Sequence, residues 1–179
     1  MISKILITLA LILVVLAVVI ATRPDDFRIA RSATMNATPS AVFEQVNDFH
    51  KWDAWSPWAK LDPNSKVSFE GPAAGTGSIF KWSGNSEVGE GKQTIIESRS
   101  NDLIHIKLEF IRPFAATNDV EFTFKPEGAN TLVTWTMSGK NNFIGKAFSL
   151  VMDCDKMLGG FFEKGLASIK TIVESAPKA

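Results

Sequence analysis

The chain has 179 residues, with 19 basic and 19 acidic side chains, two histidines and one cysteine. A net charge of zero without a clustered basic footprint argues against a nucleic-acid surface. A lone cysteine excludes an intramolecular disulfide, and with two histidines it leaves no Cys/His zinc set, so neither a metal nor a cofactor is expected.

Ile5 to Ala21 carries no charge and only Thr8 is polar. Counted from Ile2, the stretch approaches the ~20 residues needed to span a bilayer core of ~30 Å. It is longer than the ~7–15-residue core of a signal peptide. Residues 1–24 therefore read as an uncleaved single-pass anchor in the cell membrane; the alternative is a cleavable signal ending at Val19-Ile20-Ala21. Lys4 flanks the span on one side. Arg23, Arg28 and Arg31 follow it closely and weaken the charge bias that sets orientation. The remainder, 25–179, is the size of one domain and is placed on the extracytoplasmic side.

Phe27 to Met35 alternates weakly and predicts a first strand. Thr38-Pro39-Ser40 then opens a short helix with Thr38 as its cap and Ala41, Val42, Val46 and Phe49 as its apolar side. A second helical turn leads into His50–Trp58, which holds three of the five tryptophans. Pro57 drives Ser56 out of helical geometry. The segment reads as an aromatic corner closing one end of a core, with a membrane-interface or ligand-gate role as the alternative.

From Lys66 to Gly139, short alternating runs are separated by turn residues, the pattern of an antiparallel meander. A period of two sorts their faces. Phe80, Trp82, Ile96, Ile104, Ile106, Leu108, Phe110, Val120, Phe122, Phe124, Val133, Trp135 and Met137 fall on one side, with Asn118 at its polar end. Lys81, His105, Lys107, Glu109, Asp119, Glu121, Thr134 and Thr136 fall on the other. Gly75-Thr-Gly77 and Gly89-Glu-Gly91 open no helix and are expected to be hairpin turns, not phosphate loops.

Asn142 to Ser175 predicts a single amphipathic helix of roughly 45 Å at ~1.5 Å per residue, with Pro177 just past its end. Phe143, Leu150, Val151, Cys154, Met157, Leu158, Phe161, Phe162, Gly165, Ile169 and Ile172 share its apolar stripe, centred on Phe161. Gly159-Gly160 marks a kink or a close backbone approach. Cys154 is expected to be a buried structural thiol. The order is strand, two short helices, curved antiparallel sheet, then a long helix laid across the apolar face: an α+β domain.

Five segments carry a family resemblance: Asp48-Phe-His-Lys-Trp-Asp-Ala-Trp-Ser-Pro-Trp58, Gly84-Asn-Ser-Glu-Val-Gly-Glu-Gly91, Phe114-Ala-Ala-Thr-Asn118, Val133-Thr-Trp-Thr-Met-Ser-Gly139 and Met152-Asp-Cys-Asp-Lys-Met157. In this order, over Phe27 to Ser175, they resemble the polyketide cyclase/dehydrase and lipid-transport branch of the SRPBCC superfamily. That superfamily includes the START-type lipid-transfer domains and the birch-allergen group. The resemblance implies a helix-grip fold, in which a seven-stranded antiparallel sheet grips a long C-terminal helix around a hydrophobic cavity.

A cyclase would need a titratable group inside that cavity. The inward positions above hold none; His105 alternates outward, and His50 sits in the aromatic corner. Glu87, Glu90 and Asp155 qualify only if loops or the helix edge turn inward. The reading is therefore a membrane-anchored binder of a hydrophobic small molecule or lipid, favoured over an enzyme and without a catalytic set. Phe80, Trp82, Ile96, Ile106, Leu108, Phe110, Asn118, Phe122, Trp135, Met137, Leu150, Cys154 and Leu158 are the expected lining. Two alternatives stay open: a cyclase/dehydrase-like enzyme, and a protein-interaction module whose cavity is filled by its own aromatics.

Overall fold

The computed structural model describes residues 1–176; Pro177 lies outside them. Its elements run α1 (Ile2–Ala21), β1 (Asp26–Met35), α2 (Pro39–Asn47), a 3₁₀ helix (Phe49–Ala54), β2 (Lys66–Glu70), β3 (Ile79–Ser83), β4 (Glu90–Arg99), β5 (Leu103–Arg112), β6 (Ala116–Glu127), β7 (Asn130–Lys140), α3 (Phe143–Val151) and α4 (Cys154–Ser175). The strands form one seven-stranded antiparallel sheet in the order β1-β7-β6-β5-β4-β3-β2. Strands β2 to β7 are a plain meander. Strand β1 joins at the far edge beside β7, and α2 with the 3₁₀ helix carries the chain across the sheet from β1 to β2. This is the helix-grip architecture, with α4 packed against β1 and β7.

Local chemistry sets the helix boundaries. The Thr38 hydroxyl accepts from the Ala41 amide and Pro39 occupies the first turn, which starts α2. The Asp48 carboxylate accepts from the His50 amide at 2.9 Å and starts the 3₁₀ helix. Val42, Phe43 and Val46 are buried on one side of α2, as the spacing requires.

The single helix expected over 142–175 is in fact two. Asn142 caps α3 through the Gly145 amide (2.9 Å), and Asp153 caps α4 through the Lys156 amide (3.0 Å). Met152 between them is extended, with ψ 130°. An aspartate side chain that satisfies an orphan amide outweighs continuation of the helix at this point. Gly159-Gly160 does not kink α4 but serves close approach: a Cβ on Gly159 would lie 2.0 Å from the Arg31 guanidinium, while one on Gly160 meets nothing within 4 Å.

Alternation places β5, β6 and β7 correctly. Ile104, Ile106, Leu108, Val120, Phe122, Phe124, Val133, Trp135 and Met137 are all buried. Strand β4 needs a correction. Ile95 pairs with Ile106 and Glu97 with His105, so Ile96 is the extra residue of a β-bulge. The inward side chain is Ile95, fully buried, and Ile96 is 44% exposed. On α4 the residue at the centre of the core is Phe162, not Phe161. Phe162 stacks on Trp135 at 4.3 Å and 6°, whereas Phe161 stacks on Trp58 at the half-buried edge.

The core is an aromatic assembly. Trp135 packs against Phe122 at 4.7 Å and meets Trp55 edge-on at 5.7 Å, and Trp52 lies 4.6 Å from Trp55. Edge-on and offset contacts of this kind favour ring pairs beyond their area burial. The predicted aromatic corner therefore folds into the core. Two of its indoles are tied to α2 carbonyls: Trp52 Nε1 donates to Val46 (2.9 Å) and Trp55 Nε1 to Gln45 (3.0 Å).

Candidate functional site

The sheet has two aromatic regions with different packing. Under α4, Trp55, Phe122, Trp135 and Phe162 fill the space between the layers; a Cβ on Gly165 would already lie 2.7 Å from the Trp135 ring. Toward β2 and β3, Phe69, Phe80, Trp82 and Phe110 form a chain of neighbouring rings at 5.5, 5.9 and 5.9 Å, and none of the four is buried. Of the expected lining residues, Ile106, Leu108, Phe122, Trp135 and Met137 are thus core, Phe80, Trp82 and Phe110 form the open aromatic wall, and Ile96 points away. Asn118 is buried against Gly139, whose Cβ would fall 2.2 Å from the Asn118 Oδ1.

The remaining three, Leu150, Cys154 and Leu158, come together elsewhere. They line a cavity of about 660 Å³ between the start of β1 and the α3–α4 junction, with Phe27, Ile29 and Val151 as further apolar wall. Arg28, Asn141, Asp153 and Asp155 form its polar rim. The Cys154 thiol is half-buried in this wall, not enclosed in the core. A smaller cavity of about 250 Å³ lies under the β2–β3 loop, lined by Phe49, His50, Phe69 and Ser78 among others. There the His50 ring stacks on Phe69 at 4.1 Å, and its Nδ1 lies 2.8 Å from the Asp48 carboxylate.

Gln93 and Arg31 are inward polar residues that escape sequence reading. Gln93 pairs with Phe80 and Leu108, both inward, so the register turns it to the same face. Arg31 pairs with Trp135 and runs beneath α4. Its Nη2 meets Asp155 Oδ2 at 2.8 Å, its Nε meets Glu163 Oε1 at 2.9 Å, and it donates to the Asp155 carbonyl at 3.0 Å. The Arg31 hydrogen bond, opposed by partial desolvation, holds the Asp155 carboxyl below its ordinary range; the same bond raises Arg31. One signal for Arg31 was available: it falls in phase with Ile29 and Ala33 on β1.

These groups suit binding better than acid–base chemistry. Arg31, a strand cation on the inner face, is held by two carboxylates. Asp155, on the rim of the larger cavity, is shifted toward permanent ionisation, the wrong direction for a general acid near neutral pH. His105 lies on the outer face, 2.9 Å from Asp119, and Glu90 pairs with Arg112. Among the described residues no group of three His, Cys, Asp or Glu side chains is placed to hold a metal ion. The Trp135 indole N–H is buried without an acceptor among them, a deficit worth about 1–3 kcal/mol.

Comparison with known proteins agrees with this architecture. The family model described as polyketide cyclase / dehydrase and lipid transport matches residues 26–174. No curated protein matches in sequence. Among solved structures, protein CV1439 from Chromobacterium violaceum is similar at a TM-score of 0.60 and 12% identity, covering 86% of this chain and 100% of its own. The di-domain ARO/CYC StfQ of the steffimycin biosynthetic pathway is similar at 0.63 and 10%, over 84% of this chain and 51% of its own. Major latex-like protein 151 from Panax ginseng is similar at 0.58 and 15%, over 83% and 97%. At these identities the likeness is one of fold.

Proposed function

The chain belongs to the polyketide cyclase / dehydrase and lipid transport family, and on that footing we propose that it holds a hydrophobic small molecule or lipid while α1 tethers it to a membrane. The observation that carries the reading is the 660 Å³ cavity between β1 and the α3–α4 junction, walled by Phe27, Ile29, Leu150, Val151 and Leu158. It has the ~300–1,000 Å³ size of ligand pockets and their composition of apolar wall with a few polar groups. Binding proceeds by desolvation of the apolar part, with Arg28, Asp153 and Asp155 orienting a polar end. The open ring chain Phe80–Trp82–Phe110 extends the apolar wall on the other side of the aromatic plug. Helix α1 supports the tether: it has 20 residues, is strongly apolar, and lies almost wholly outside the packed core.

Native mass spectrometry of the full chain released from mild detergent tests the reading. A co-purifying apolar mass is expected, and Leu158→Trp, which narrows the cavity, is expected to lower its occupancy. Absence of any bound mass, with no binding on titration with lipids or isoprenoids, would refute it. The burial of Trp55, Phe122, Trp135 and Phe162 favours a second reading in that event, an interaction module that has filled its own cavity. For the tether, intact mass after carbonate washing is expected to start at Met1; release with a mass starting at Thr22 would show a signal peptide instead.

A further inference from the structure

Helix α3 is amphipathic in the wrong sense for a helix of a water-surrounded domain. Its charged residue, Lys146, is turned inward, and its apolar residues are turned out. Phe143, Ile144, Phe148 and Val151 are 54%, 48%, 48% and 82% exposed, and Met152 just beyond is 42% exposed. Ile144, Phe148 and Val151 follow the i, i+4, i+7 spacing of one helix face. Among the described residues no element of the domain covers them, yet five large apolar side chains within ten residues call for an apolar neighbour.

The position of α3 identifies that neighbour. Lys146 Nζ donates to the carbonyl of Ala21, the last residue of α1, at 3.3 Å, and pairs with Asp25. The Lys146 bond holds the Asp25 carboxyl below its ordinary range. Helix α3 packs against α1. A 20-residue helix is about 30 Å long, the thickness of the hydrocarbon core, so its end at Ala21 marks the depth where hydrocarbon gives way to head groups. Lying beside that end, with no charge on its outer face, α3 occupies the level where amphipathic helices bury an apolar side in the acyl boundary.

We propose that α3 is an interfacial helix, seated in the bilayer surface beside the exit of α1 with Phe143, Ile144, Phe148 and Val151 in the lipid. The proposal rests on α1 spanning the membrane. Residues 149–152 also form one wall of the 660 Å³ cavity, so a bilayer against α3 lies at that cavity's mouth and the ligand passes between membrane and cavity without crossing water.

The test uses the full chain in phosphatidylcholine–phosphatidylglycerol vesicles, on a Cys154→Ser background, with a nitroxide spin label at one site per sample. Phe148→Cys and Val151→Cys report on α3, Leu13→Cys on the span and Lys164→Cys on the exposed side of α4. All four positions are exposed, so the labels displace no core contact. The accessibility ratio of dissolved oxygen to a water-soluble nickel chelate is expected to rise at 148 and 151 toward the value at 13, and to stay low at 164. A lipid value at 13 with a water value at 148 and 151 overturns the interfacial helix and leaves the tether standing. Low access to both reagents at 148 and 151 also overturns it, because a protein then covers the face. A water value at 13 removes the tether and the proposal with it.

Discussion

Helices α3 and α4 follow one another across two residues and both carry an apolar stripe, but only one stripe is covered. On α4, Phe162, Leu166 and Ile169 are at most 2% exposed beneath the sheet, and the charged side faces water. On α3 the arrangement is inverted: Lys146 turns toward the body of the protein and the phenylalanines turn away. The contrast shows that an apolar stripe states a demand for a nonaqueous neighbour without saying which one. Here the sheet meets the demand of α4, and on the interfacial-helix proposal a bilayer beside α1 meets that of α3.

The strongest way to break the comparison is to place a charge on each stripe. Phe162→Asp is expected to abolish the folded domain. Removing a buried Phe costs about 3–5 kcal/mol before the unpaired carboxylate is counted, against a domain stability of about 5–15 kcal/mol. Phe148→Asp is expected to shift stability by about 0.5 kcal/mol or less in detergent. Denaturant titration followed by circular dichroism decides; equal midpoints would mean that the two stripes do not differ.

The same contrast exists within one strand. Ile95→Ala is expected to destabilise by about 2–5 kcal/mol because it opens a hole in the core, and Ile96→Ala by about 0.5 kcal/mol or less. Comparable losses at the two positions would place the β4 bulge elsewhere.

Smaller still is the paired test on α4's glycines. Gly159→Ala pushes the Arg31 guanidinium off Asp155 and Glu163, and about 1–3 kcal/mol is expected from overpacking. Gly160→Ala meets open space and is expected to stabilise by up to about 1 kcal/mol through helix propensity. Thermal midpoints that move in the same direction would show that α4 does not ride on Arg31.

The smallest effect sharpens the electrostatic side of the α4 contact. The folded-state value of Asp155 is depressed, so its contribution is complete above the ordinary aspartate range and is lost as pH falls through the lowered value. The stability gap between the native chain and Asp155→Asn is therefore expected to be constant near neutrality and to close in acid. It should also shrink with salt, because the pair is exposed. A gap that widens in acid would reverse the assigned shift.

Much of this was legible from residue order alone. Alternation with a period of two assigned the buried faces of β5, β6 and β7, because β6 and β7 pair without a shift and β5 skips a residue only at Ile111, near its end. The uncharged stretch before Thr22 announced α1, and the ordered motifs from Asp48 to Met157 announced the family. What residue order left open was settled by contacts between distant segments. Ile95 rather than Ile96 turns inward because pairing to β5 inserts a bulge. The last helix divides because Asp153 finds an amide to cap. Arg31 is an inward cation because two α4 carboxylates and the bare Gly159 backbone receive it. The same aromatic alphabet either plugs the interior, as at Trp135 and Phe162, or stays open, as at Phe80 and Trp82. The spacing between sheet and helix decides which, and periodicity within a single segment does not encode that distance.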